Sequence, residues 1–148
     1  MLHHMAVVQV EADEVVFEEG DIGNAWYVVR AGTLAVRKRM SHGPEHDMAV
    51  LEPGESFGEM SLLDDSPRLA TVIACTPAEL VCLPRTGFRR IVESRSPAAM
   101  RLILTMASVV CARHRELTHV LSDMIDEPGL ETAVVSTAFA AIWRTPAA

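Results

Sequence analysis

Basic residues are in short supply: 13 Lys and Arg stand against 20 Asp and Glu, for a formal net charge of −7. General nucleic-acid and anionic-membrane binders cluster Lys and Arg, so this balance argues against both. An arginine with a role in such a chain must act locally, through geometry and hydrogen bonds. Cysteine is scarce too, and odd in number. Cys75, Cys82 and Cys111 show no C-x-x-C spacing. They read as small buried apolar residues in a reduced cytosolic protein, with little support for a redox role. No run approaches the ~18 apolar residues of a membrane span, and no charged-then-apolar leader is visible. A cytoplasmic protein without a membrane span is the expectation. There is no internal repeat, so one site per chain is expected, and no kinase signature set.

What is present is ordinary globular material. The 148 residues suffice for one domain, and 49% are hydrophobic. Met1 to Met5, with His3 and His4 adjacent, are set aside. From Ala6 to Arg39 the pattern is β. Val7, Val8 and Val10 begin it, and Val15 to Glu18 follows. Ala25 to Arg30 is rich in aromatic and β-branched residues, and Leu34 to Arg39 alternates apolar with polar. Gly20, Gly23 and Gly32 fall in turns and read as structural. Met40 to His46 reads as a polar hairpin loop. Met48 to Leu51, Leu69 to Ala74 and Glu79 to Pro84 are further strands. The expected fold is mainly β with C-terminal helices (α+β). It comprises an eight-stranded jelly-roll barrel over about 6–84, then a short and a long helix over about 85–123.

The period changes after Pro84. Phe88, Ile91 and Val92 have helical spacing. Ser96-Pro97 offers an N-cap followed by proline at the first helical position. A long helix then runs to about Asp123, with Met100, Ile103, Leu104, Ala107, Val110, Cys111, His114, Leu117 and Leu121 as its apolar stripe. Such a helix, long for a small domain, often finds a partner helix. Glu127-Pro128-Gly129 breaks it. Residues 124–148 form a tail, with a short helix possible from Leu130 to Trp143.

The chemistry concentrates in one stretch, Phe57-Gly58-Glu59-Met60-Ser61-Leu62-Leu63-Asp64-Asp65-Ser66-Pro67-Arg68-Leu69-Ala70-Thr71-Val72. Gly58 lets a backbone approach a ligand closely. Residues 58 to 62 suit a single helical turn whose first N–H groups lack internal partners and attract phosphate. Arg68 can fork two hydrogen bonds onto phosphate oxygens. Glu59 in the same loop makes sense as an acceptor for sugar hydroxyls. A phosphate site beside a sugar-reading carboxylate points to a nucleotide.

This stretch resembles the phosphate-binding cassette of the cyclic nucleotide-binding domain family, which includes protein kinase A regulatory subunits and the catabolite activator type of bacterial regulators. FGEMSLL, DDS and PRLATV match its two ends and its spacing, and EEGDIGNAWYVVRAGTLAV extends the resemblance upstream. The resemblance implies a domain over 6–123 and a sensor without chemistry of its own. It implies that Phe57, Gly58, Glu59, Met60 and Ser61 border ribose and phosphate. Arg68 would hold the phosphate, and Leu69 and Ala70 would add backbone or apolar contacts. Arg113 or His114 on the long helix could cap the base. Domains of this family that prefer cGMP tend to carry threonine where Leu69 stands, so cAMP is the expected ligand and cGMP the alternative. The long helix would transmit binding to a dimer mate or a separate effector, and a homodimer is expected. Too few residues, with too few basic ones, follow Asp123 for a winged helix-turn-helix, so no direct nucleic-acid binding is expected.

Other readings compete. His42 and His46 are four apart, but Gly43 and Pro44 between them favour a solvated loop over a metal pair. Asp64-Asp65 reads as a polar turn that caps or solvates the cassette rim. A cupin-like metal-dependent enzyme would need clustered histidine and carboxylate ligands on inward strands, and the sequence offers none well placed. A degenerate barrel with an empty site is the third reading, and the intact Glu59 and Arg68 argue against it.

Overall fold

Two four-stranded antiparallel sheets face each other across an apolar core. The computed structural model describes residues 4–40, 43–126 and 140. The elements are β1 (Ala6–Val10), β2 (Val15–Phe17), β3 (Ala25–Ala31), β4 (Leu34–Arg39), β5 (Glu45–Leu51), β6 (Ser56–Phe57), α1 (Glu59–Asp64), β7 (Thr71–Ala74), β8 (Ala78–Pro84), α2 (Arg85–Glu93) and α3 (Pro97–Asp126). One sheet has the order β1-β8-β3-β6 and the other β2-β7-β4-β5. The eight-stranded barrel followed by a short and a long helix is therefore as expected.

Strand alternation supplies the core. In β8, Ala78, Leu80 and Cys82 are buried, with half-buried Glu79 and Val81 between them. Val29, Leu34, Val36, Leu51, Phe57 and Val72 join Leu80 as the largest fully buried side chains between the sheets. A second cluster lies between barrel and helices. Leu62, Leu83, Ile91, Ala99, Leu102 and Met106 form it, with Trp26 and Phe88 packed against it. No helix of the described residues is long and apolar enough to cross a membrane.

Several expectations shift. β5 begins at Glu45 rather than Met48, because charged cross-strand partners extend the ladder beyond the apolar pattern. Arg37 lies opposite Asp47, Lys38 opposite His46 and Arg39 opposite Glu45. Arg37 Nε donates to Asp47 Oδ1 at 2.6 Å. His46 is thus exposed on a strand, while His42 lies outside the described residues. β6 hides inside the motif stretch, where its pairing of Phe57 with Tyr27 left no pattern to read. Cys82 is buried, but Cys75 and Cys111 are exposed. Cys75 falls in the turn after β7, and Cys111 lies on the outer face of α3.

The long helix carries the largest correction. Its N-cap forms as expected, with the Ala99 N–H donating to Ser96 Oγ at 3.2 Å. The face on the barrel, however, is Ala99, Leu102, Met106, Val109 and Arg113. Of the expected stripe, Met100 and Leu104 are each 58% exposed. Cys111 and His114 are exposed, and Ile103, Ala107, Val110 and Leu117 are half-buried. The side chain of Leu121 lies outside the description. The helix is apolar on two faces, and periodicity does not say which of them meets the barrel. The possible helix over 130–143 falls, but for Ala140, outside the described residues.

Candidate functional site

The site grows from a backbone turn that only glycine suits. Gly58 links β6 to α1 at φ 82°, in the left-handed region. A Cβ there would lie 2.5 Å from Arg68 Nη1 and 3.1 Å from the Ala25 carbonyl oxygen. Glycine therefore serves both the conformation and the close approach of the arginine. No side chain caps the N-terminus of α1.

Arg68 is placed by its own backbone. Its N–H donates to Asp21 O at 2.8 Å, and its carbonyl accepts from Gly20 N–H at 2.9 Å. The side chain turns inward and is 4% exposed. Nη1 donates to Gly58 O at 2.9 Å and Nη2 to Ala25 O at 2.7 Å. The guanidinium carbon sits 4.0 Å above the centre of the Phe17 ring. Burial lowers the arginine's pKa, against the opposing pull of Tyr27, Glu59 and Asp21. Nε is buried and makes no hydrogen bond.

Glu59 is 3% exposed. Its Oε1 accepts from Arg113 Nη1 at 2.5 Å, while Oε2 is buried without a partner. Arg113 also donates through Nη2 to the Ser56 carbonyl at 2.5 Å. On the other side of the cassette, Lys38 Nζ donates to Leu69 O at 2.7 Å and to Glu19 Oε1 at 2.5 Å. This brace fixes the residue that follows Arg68. Burial pushes the Glu19 carboxyl pKa up, but the bonds to Lys38 and the Arg39 N–H outweigh it and leave it below the usual value.

These groups line one cavity. Gly58, Glu59, Met60, Ser61, Arg68, Leu69, Arg113 and Phe17 line a small cavity of about 20 Å³ that opens to solvent. An adjoining chamber of about 190 Å³ shares Glu59, Met60, Leu69 and Arg113 and adds Val110, His114 and Leu117 from α3. The arrangement offers a cation with an uncommitted donor, a carboxylate with an uncommitted acceptor, and a mostly apolar chamber beside them. It suits a ligand with an anionic group, hydroxyls and a flat apolar part.

Most of the expected residues meet here. Phe57 and Ala70 do not line the cavity. Their side chains are fully buried in the core behind it, Phe57 stacked on Tyr27 at 5.1 Å. Arg113 is locked to Glu59, whereas His114 lies on the adjoining chamber. The acidic pair sits at the C-terminal end of α1, not at an N-cap. Asp64 Oδ1 accepts from Ser66 N–H at 3.0 Å and its hydroxyl at 2.5 Å, and those bonds lower its pKa. Asp65 pairs with Arg85. Phe17, Ser56, Lys38 and Arg85 went unread in the sequence. The Glu59–Arg113 pair had one available signal: Arg113 continues the 99, 102, 106, 109 spacing as a lone charge on an apolar line. No group of three or more His, Cys, Asp or Glu among the described residues could hold a metal ion.

A family model described as "Cyclic nucleotide-binding domain" matches residues 7–95. The chain is 36% identical over 92 residues to a cyclic AMP receptor protein of Thermus thermophilus, covering 62% of this chain and 43% of that protein. It is 34% identical over 102 residues to a cAMP-dependent protein kinase regulatory subunit of Blastocladiella emersonii, covering 69% of this chain and 25% of the other. The chain thus spans less than half the length of either relative. Among solved structures, it is similar to a domain from Methylobacillus flagellatus described by the same family term. The TM-score is 0.76 at 22% identity, over 86% of this chain and 70% of that one, which speaks for the fold.

Proposed function

The chain belongs to the cyclic nucleotide-binding domain family, and from that premise we propose that it is a cAMP sensor with no chemistry of its own. One observation carries this reading. Arg68 and Glu59 line the same cavity, and each has one buried side-chain atom, Nε and Oε2, without a hydrogen-bond partner. Buried polar atoms are nearly always satisfied, so the pair calls for a ligand that completes both. A ribose cyclic phosphate does so: its phosphate oxygens accept from Arg68, and its free sugar hydroxyl donates to Glu59. Gly58, Met60 and Ser61 border the sugar and phosphate. The base occupies the chamber beside α3, next to Arg113 and His114.

Leu69 lines that chamber and offers no side-chain donor to guanine, which favours adenine. Calorimetric titration is expected to show cAMP binding about 10-fold or more tighter than cGMP, a difference of ~1.4 kcal/mol. Absence of binding by either nucleotide up to millimolar concentration ends the proposal.

The unit proposed spans 6–123, in the cytoplasm, with its output carried by α3 to a dimer mate or a separate effector. The outer face of α3 supports the dimer. Met100 and Leu104 are exposed, with Ile103, Ala107 and Val110 half-buried beside them. An apolar strip of this kind on a long helix finds a partner. Sedimentation velocity at micromolar concentration should show a dimer that Leu104→Glu converts to monomer. A monomeric wild type would remove this part of the proposal.

A further inference from the structure

Arg85 opens α2, outside the cavity, yet its side chain reaches back into the cassette. Nη2 donates to Ser61 O at 2.5 Å and to Gly23 O at 2.6 Å. Nη1 pairs with the Asp65 carboxylate. Its backbone N–H donates to Asn24 O at 2.7 Å. One residue therefore ties together the cassette helix α1, the loop before β3 and the head of α2.

The need for such a tie follows from the length of α1. A six-residue helix leaves its last four carbonyls without internal partners, and Ser61 O is among them. The helix has no basic residue in its last turn to answer them. Ser61 is 3% exposed, so water is a poor substitute. Arg85 supplies the missing donor, and its positive charge lies at the end of the helix where cations are favoured. The loop is drawn in equally tightly. A Cβ on Gly23 would lie 2.0 Å from Ser61 Cβ. Glycine permits the approach, and the guanidinium fastens both carbonyls.

We propose that Arg85 is a positioning residue for the nucleotide. It holds α1 in the pose that presents residues 58 to 61 to the cavity, and it couples any displacement of α1 to α2. α2 ends at Glu93 and α3 begins at Pro97, so the coupling passes directly toward the long helix. The two carbonyl bonds carry the role. The ion pair adds little, because Asp65 is 76% exposed on its side-chain surface and exposed pairs contribute weakly. Holding α1 in place before ligand arrives lowers the ordering cost of binding, which appears as affinity.

The inference rests on the nucleotide-binding reading, and the experiment separates the two. The full chain, as wild type, Arg85→Ala, Arg85→Lys and Arg85→Gln, is titrated with cAMP. Each form is then followed by amide hydrogen exchange with and without saturating cAMP. Arg85→Ala should bind about 10-fold more weakly, as for loss of one charge-assisted hydrogen bond. The wild type should show a cAMP-induced change in exchange over residues 85–95, and Arg85→Ala should lose it. Arg85→Lys should recover part of both, since an ammonium still donates to a carbonyl. Wild-type affinity and an intact response over 85–95 in Arg85→Ala overturn the proposal. If that variant does not fold, the same result in Arg85→Lys and Arg85→Gln overturns it. A wild type that binds no cAMP overturns the nucleotide reading and this inference together.

Discussion

Arg68→Ala should weaken cAMP binding by about 100- to 10,000-fold. A fork onto a phosphate supplies two charge-assisted hydrogen bonds, each of roughly 1.5–3 kcal/mol, and ~1.4 kcal/mol is a factor of ten. The structure explains why no neighbour can compensate. The other cation lining that cavity, Arg113, is committed to Glu59 and Ser56. Arg68→Lys should also bind weakly, since an ammonium is a point charge that cannot fork and does not stack on Phe17 as a planar group does. A structural cost accompanies the binding loss. Alanine leaves Gly58 O and Ala25 O without their donor, at about 1–3 kcal/mol for an unsatisfied buried group. Circular dichroism and thermal melting of the variant must therefore be read beside the titration. A folded Arg68→Ala protein with wild-type affinity contradicts the assignment of the phosphate site.

The cassette was legible because its chemistry is local. Gly58, Glu59 and Arg68 lie within one stretch, and their spacing implies a shared loop before any fold is known. The groups that hold them in place were not legible, for the opposite reason. Arg113 is 54 residues from Glu59, Ala25 is 43 from Arg68, and Arg85 is 24 from Ser61. Nothing in composition or period connects such distant positions. Phe17 read only as a strand residue, although its ring lies under the Arg68 guanidinium. α3 shows a further limit. An amphipathic period identifies a helix, but a helix apolar on two faces needs the barrel to decide between them. The barrel takes the face that carries Arg113, a charged residue that the apolar period alone gives no reason to bury. Its burial makes sense only once Glu59 is seen opposite.

That buried pair sets the second large effect. Arg113→Met removes the only partner of the Glu59 carboxylate among the hydrogen bonds seen, and leaves both oxygens buried and unpaired. Breaking one side of a buried pair costs about 3–5 kcal/mol, far more than an exposed pair is worth. Side-chain exposures of 5% and 4% place this pair in that class and leave it little screened by salt. Glu59→Leu should be similarly damaging, since it removes the carboxylate that the buried guanidinium of Arg113 faces. The double variant Glu59→Leu/Arg113→Met should recover much of the stability lost in the single variants, because neither member of the pair is left buried opposite a missing partner. Equilibrium urea unfolding of the four proteins measures this, with the non-additive remainder as the coupling between the two residues. Single variants that each lose under about 1 kcal/mol, with a double variant equal to their sum, would mean that the pair does not form in solution. cAMP titration then separates stability from function. Glu59 is proposed to accept the sugar hydroxyl, so the double variant should fold well and still bind poorly. Arg113→Met should bind poorly as well, even where folded, because nothing then holds the Glu59 carboxylate at the cavity wall. Restored folding without restored binding is the outcome that distinguishes a pair kept for the ligand from one kept for the core.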